Sequence, residues 1–349
     1  MSIVCRKFGV MPDGRQIDCL SLENGKGIRA DIITYGARII GLWAPDRNGI
    51  SKDIVWGYDT LEEYCTPRDS QGAIIGRYAG RISNASFELD GQIIRLVRNA
   101  GNNTLHGGTG TGACFSEKVW TVDECKDGEE PSLVLSLISP DGDGGFPGNM
   151  KISVTYSLTA DNSIIIDYKL MSDKKTVQNI TSHCFFNLNG FDSHNIRDHC
   201  LMIAASSYTV TCEEDVVTGE IAPVSGTALD FVSEKPLENG IDAFLRGYNH
   251  NFVLNKHSFD QPVACLCDPQ SGREMYVYTD QPGLQMYTAG GVKPGKKAKR
   301  GSEMYPLGAI CLETQHFPDS VHHPEFPDTT LEKDCLYRSV TRYRFDVRK

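Results

Sequence analysis

Five short polar segments hold the side chains best suited to moving protons or gripping a polar ligand. They are GRYAGRI at 76–82, NNTLHGG at 102–108, TSHCFFNLNG at 181–190, GYNHNFVL at 247–254 and GAICLETQHFP at 308–318. In the last of these, small and apolar residues from Gly308 to Leu312 run directly into a carboxylate, Glu313, followed by Thr314, Gln315 and His316. A run this short, without a 3.6-residue period and stopped by Pro318, is predicted to be a buried strand. It delivers Glu313 either into a polar pocket, where the charge is costly unless paired or used, or out to solvent. The other segments set His, Arg or Asn at the ends of strand-like runs, where loops can aim them into one cleft. Each also has a plainer explanation. A histidine can be a satisfied core group, Arg77 and Arg81 can pair with surface carboxylates, and Asn249, His250 and Asn251 can cap a turn.

The elements that must position these groups read as strands. Residues 28–43 hold β-branched clusters broken by Gly36 and Gly41, and further runs follow at 85–89, 93–97, 133–138, 152–158, 164–170, 251–254, 275–279 and 284–288. Turn chemistry separates many of them, at Asp90-Gly91, DGDGG (141–145), Asp161-Asn162 and Ser271-Gly272. The one helix candidate is brief, Thr60 to Tyr64. With no linker, repeat or low-complexity stretch, residues 1–349 are predicted to be a single all-β domain, a large antiparallel β-sandwich.

Two glycine-rich stretches resemble ligand loops. GGTGTG at 107–112 could cradle a phosphate, but the following ACFSEKVWTV reads as strand rather than as a helix with a free N-terminus. Asp141 and Asp143 begin like a calcium loop, yet its twelfth position is Ile152, so a turn is predicted.

A formal net charge of −10 argues against nucleic acid and suits a neutral small ligand. The one basic run, KPGKKAKR at 293–300, reads as a solvated loop. The segment MSIVCRKFGV lacks the apolar stretch of a signal peptide, and no segment approaches the roughly 20 apolar residues of a membrane span. A cytoplasmic protein with no membrane partner is expected. The 12 cysteines are scattered without a CxxC pair, often among apolar residues as at Cys265 and Cys267. Reduced, buried thiols fit better than a disulfide frame or a metal site.

Taken together and in this order, the five segments resemble the aldose 1-epimerase (galactose mutarotase) family. The resemblance rests on NxxLHGG, TSHCFFNL, GYNHNF, LQMYT and LETQHFPD followed by HHPEFP, and it extends from DGRQIDCLSLEN to TRYRFDV, nearly the whole chain. It implies the galactose mutarotase-like β-sandwich and an isomerase that interconverts the α and β anomers of a free monosaccharide such as galactose or glucose. The protein would work without metal or other cofactor, as a monomer or weak homodimer. Carried over position by position, His183 is the general acid and Glu313 the general base. His106 lies near the ring oxygen or anomeric hydroxyl, and Arg81 and Gln285 hold other hydroxyls. Glu313, with an ordinary pKa of about 4.3, would be ionised at neutral pH, and His183 would hold the second proton with the help of a nearby carboxylate.

The chain departs from the family pattern at three places. Gly80 stands where Asn is common, Phe185 replaces a Tyr beside the acid, and Asn249 replaces an Asp, exchanging a charged acceptor for an amide with one acceptor and two donors. These changes motivate a second reading, a sugar-binding or sensing domain with a mutarotase-like pocket, although such a domain has no need for an acid and a base together. A third, a mutarotase for a modified or phosphorylated sugar, meets the difficulty that Arg81 and Arg77 are the only basic groups placed in the cleft.

Overall fold

The computed structural model describes residues 3–66 and 70–349. Three larger antiparallel sheets organise it. The first is a meander of Val4–Val10, Gln16–Glu23, Arg29–Ile33, Arg38–Pro45 and Ser51–Asp53. The second is nine strands wide, in the order Thr121–Lys126, Ser132–Ser139, Met150–Leu158, Ser163–Ser172, Tyr337–Val347, Arg273–Thr279, Ala264–Cys267, Cys200–Ile203 and Lys235–Pro236. The third, which carries most of the site, runs Val217–Pro223, Ser207–Thr211, Asn249–Val253, Gly283–Tyr287 and Cys311–Gln315.

Period-2 burial explains how these strands stack. In Met150–Leu158 every second residue is buried, and the inward set continues into Ser163–Ser172 as Ile164, Ile166, Tyr168 and Leu170. One apolar cluster joins Leu20, Ile32 and Leu42 of the first sheet to Val154, Ile166 and Met275 of the second and Phe252, Leu284 and Leu312 of the third. Each such side chain contributes about 1.5–3 kcal/mol by leaving water, so the sheets are held face to face as a sandwich. Tight turns follow the signals in the sequence. Asp90 and Gly91 both have positive φ (50° and 77°), the geometry of a two-residue hairpin between Ser86–Leu89 and Gln92–Arg95. The short helix Leu61–Tyr64 starts at Thr60, whose hydroxyl and the Glu63 carboxylate cap each other's backbone.

Several expectations need correcting. The segment after GGTGTG is not strand throughout: Phe115–Glu117 forms a 3-10 turn before the strand Thr121–Lys126. Glu117 folds back so that its carboxylate accepts from the amides of Gly110 and Gly112, the latter at 2.6 Å, and thereby fills the cradle a phosphate would need. The run 293–300 is not wholly solvated, because Lys299 is buried against Asp53 at 2.6 Å. Arg77 does not pair at the surface. It is buried and donates to the carbonyls of Ser139, Pro140, Pro147 and Gly148, with burial lowering its pKa to about 10. The thiols are all free, but Cys5, Cys65, Cys125, Cys212 and Cys335 are exposed rather than buried.

Candidate active site

Register in the third sheet sets the floor of the cleft. Asn251, Gln285 and Glu313 lie in one row across three strands, and Asn249, Tyr287 and Cys311 in the next. The intervening residues Leu284, Met286 and Leu312 face the core, which forces the polar set onto the opposite face. The Glu313 strand is tied to the large sheet from below, where the Thr314 and Thr341 hydroxyls meet at 2.5 Å and the Tyr343 hydroxyl donates to the Leu312 carbonyl at 3.0 Å. Gln285 Nε2 donates to Asn249 Oδ1 at 2.8 Å, so the two amides form a linked pair.

His183 follows the two-residue strand Thr181–Ser182, which pairs with Ile74–Ile75 and is pinned to the Glu313 strand by a 2.9 Å bond from the Thr181 hydroxyl to the Thr314 carbonyl. This brings His183 Nε2 to 3.6 Å from Glu313 Oε1 and leaves Nδ1 3.4 Å from Cys311 Sγ. The ring of Phe185 lies nearly flat on His183, with centroids 4.9 Å apart, and Trp56 stacks behind Phe185 at 5.8 Å. His106 meets His183 edge-on at 5.3 Å. Its backbone is left-handed, at φ 53°, and its Nδ1 accepts the Gly80 amide at 3.3 Å, which places the ring proton of a neutral His106 on Nε2 as a donor. Arg81 pairs through its backbone with Leu105, and its guanidinium reaches Asp215 at 3.1 Å.

Burial dominates the electrostatics. Glu313 is only 2% exposed and its pKa is pushed up to about 8, so the reference value used above does not hold: the carboxyl binds its proton more tightly than an ordinary glutamate. His106 is held well below its ordinary value by burial first, then by His183 and Arg81, and is neutral at pH 7. An imidazole and a carboxyl 3.6 Å apart, with Phe185 stacked on the imidazole and the linked Gln285–Asn249 amides on the neighbouring strands, can pass protons to and from a polyhydroxylated ring.

Comparison with known proteins gives this geometry its context. The aldose 1-epimerase family profile matches residues 18–344. The chain belongs to the aldose 1-epimerase family. It is 37% identical to a galactose mutarotase from Homo sapiens over 350 residues, covering 99% of each chain. It is also 37% identical to an aldose 1-epimerase from Haemophilus influenzae over 320 residues, covering 90% of this chain and 91% of the relative. Among solved structures, an aldose epimerase homologue from C. elegans superposes with a TM-score of 0.88 at 28% identity, covering 95% of this chain and 99% of the other. Like these relatives, the protein is a galactose mutarotase-like sandwich and an isomerase that interconverts the anomers of a free sugar.

Against that family background, the structure gathers all seven residues singled out from the sequence: Arg81, His106, His183, Phe185, Asn249, Gln285 and Glu313. Gly80 has φ 77°, a conformation that favours glycine, and an added Cβ there would lie 3.0 Å from the Pro318 side chain. His250 turns to the other face, against Phe244 and Tyr208. Four neighbours went unnoticed in sequence. Tyr287 and Cys311 sit two residues from Gln285 and Glu313 on the same strands, and a strict period-2 reading would have found them. Trp56 and Asp215 come from distant segments with no local signal. Cys311, His183 and Glu313 bring three donor atoms within 4.8 Å of one another, the one such group among the described residues. Burial raises the pKa of both the Cys311 thiol and the Glu313 carboxyl.

Proposed function

We propose that His183 and Glu313 are the acid and base of a mutarotase for neutral aldoses such as galactose and glucose. The observation that carries this reading is the 3.6 Å approach of His183 Nε2 to Glu313 Oε1 at the floor of a polar cleft. Glu313 in its ionised form takes the proton of the anomeric hydroxyl while His183 gives one to the ring oxygen. The bond between the anomeric carbon and the ring oxygen breaks, the aldehyde turns, and reclosure on its other face returns both protons. Opening moves one proton onto Glu313 and one off His183, and reclosure moves each back, so both groups are restored over a cycle. The neutral Nε2–H of His106 suits the ring or anomeric oxygen. Arg81, Gln285 and Asn249 supply directional bonds to the remaining hydroxyls, and Phe185 serves as a shelf that fixes the plane of the acid.

Polarimetry on freshly dissolved α-galactose tests the assignment. Glu313→Gln and His183→Asn conserve shape while removing proton transfer, and each is expected to lower turnover by about 100-fold or more with the fold intact. Near-normal exchange in either folded variant would overturn the roles.

A further inference from the structure

The strands Ser207–Thr211 and Val217–Pro223 form a hairpin at the outer edge of the third sheet. Next to its turn, Val217 pairs with Thr211 and packs against Phe317 and Phe326, just beyond the Glu313 strand. Its tip is a closed turn in which the Cys212 amide donates to the Val216 carbonyl at 2.8 Å and Asp215 takes φ 57°. From this tip two carboxylates reach back to the segments that flank His106. Asp215 Oδ2 accepts from Arg81 Nη2 at 3.1 Å, its carbonyl lies 3.5 Å from Nη1, and Glu214 Oε2 accepts from Asn103 Nδ2 at 3.1 Å.

Arg81 is the cation nearest His106 in this cleft and Arg246 acts on Tyr287, whereas Arg77 is buried away from it on backbone carbonyls. The Arg81 and Asp215 side chains are 22% and 45% exposed, so the pair sits at the mouth rather than in the floor. A guanidinium has five donors and Asp215 occupies only some of them, leaving others aimed by the same contact. Its charge is cancelled where an anionic group on a sugar would first meet the protein, and Glu214 adds a second negative charge beside it.

We propose that Asp215 is a positioning and specificity-determining residue: it fixes the Arg81 guanidinium at the cleft and cancels its charge, so that neutral aldoses enter and sugar phosphates are turned away. The inference rests on the role given to Arg81 under the proposed function. Asp215→Asn is expected to raise KM for galactose about fivefold while kcat stays within about twofold, because the residue does not touch the reacting atoms. The efficiency with galactose 6-phosphate relative to galactose should rise about fivefold at low ionic strength, and the gain should shrink as salt is added. Asp215→Glu, which keeps the charge, should restore the discrimination. Binding of 1-deoxygalactose, which cannot mutarotate, separates this idea from the catalytic assignment when followed by calorimetry. A wild-type protein that binds the analogue without exchanging anomers sinks the proposed function. An Asp215→Asn variant that binds it as the wild type does, with an unchanged phosphate-to-free-sugar ratio, overturns the inference.

Discussion

Burial has two opposed effects on Glu313. It gives the carboxylate a basicity suited to taking a proton from a sugar hydroxyl, and it costs the folded protein stability. The folded pKa of about 8 exceeds the ordinary 4.5, so the stability associated with this group is complete below about 4.5 and is lost as pH rises through about 8. At pH 7 the penalty is about 3 kcal/mol. Glu313→Gln should therefore unfold later in urea at pH 7–8 than the parent, with the advantage vanishing near pH 4. In the parent, kcat/KM should climb with a midpoint near 8 as the base ionises. A midpoint near 4 would mean that the carboxylate is already free in neutral solution and that burial does not govern it. Asn249 offers a second test. Its Oδ1 already accepts from Gln285, so for a sugar hydroxyl it offers one further lone pair beside two N–H donors, whereas an Asp there would keep a whole second, charged acceptor oxygen. Asn249→Asp should improve efficiency with galactose about fivefold, worth on the order of 1 kcal/mol. Unchanged efficiency with every sugar tried would place this residue outside the working contacts. The types of these residues were legible in the sequence because acid, base and amide chemistry belongs to single side chains. The pKa of Glu313 was not, because desolvation depends on how completely the fold buries the carboxyl, which no single segment reveals.

At the level of elements, alternation made the strands readable, and the Glu313 strand illustrates both the reach and the limit of that signal. The apolar run Gly308 to Leu312 correctly announced burial, but regular pairing begins only at Cys311 and continues through the polar residues to Gln315. The continuous run looked like a strand hidden on both faces, and both faces are indeed buried. One meets the core and the other meets His183. The basic run 293–300 shows how charge counting fails when one member is selected by a distant partner. Lys299 packs beneath the loop, donating to the Ile40 carbonyl at 2.8 Å and pairing with Asp53, whose side chain is fully buried. Removing Lys299 leaves the buried Asp53 carboxylate only the more exposed Arg300, 3.8 Å away, so Lys299→Ala should cost about 3 kcal/mol in urea unfolding, whereas Lys297→Ala in the same run should change little. Equal, small effects at both positions would mean that the Lys299 contact is incidental.

For the molecule as a whole, the order of strands in the nine-stranded sheet matters more than their number. Residues 121–172 supply one side of it and residues 200–279 the other, and among the described residues the one strand joining them is Tyr337–Val347, paired with Ser163–Ser172 on one edge and with Arg273–Thr279 on the other. No local pattern in TRYRFDV announces this central place, because long-range pairing is set by what remains unpaired after the hairpins have formed. Deleting residues 337–349 should abolish cooperative unfolding and leave soluble yield sharply reduced. A truncated chain with a normal melting transition would show that the two halves close without their common strand. The same arrangement bears on how the protein is made. Synthesis runs from the N-terminus, so of the nine strands in this sheet the one that completes its middle leaves the ribosome last. Until then Ser163–Ser172 and Arg273–Thr279 each present an open edge, the kind of surface that recruits chaperones or other nascent chains. A pause in translation ahead of Tyr337–Val347 would prolong that exposure, and the yield of active enzyme in a cell would depend on the pace at which that strand is made.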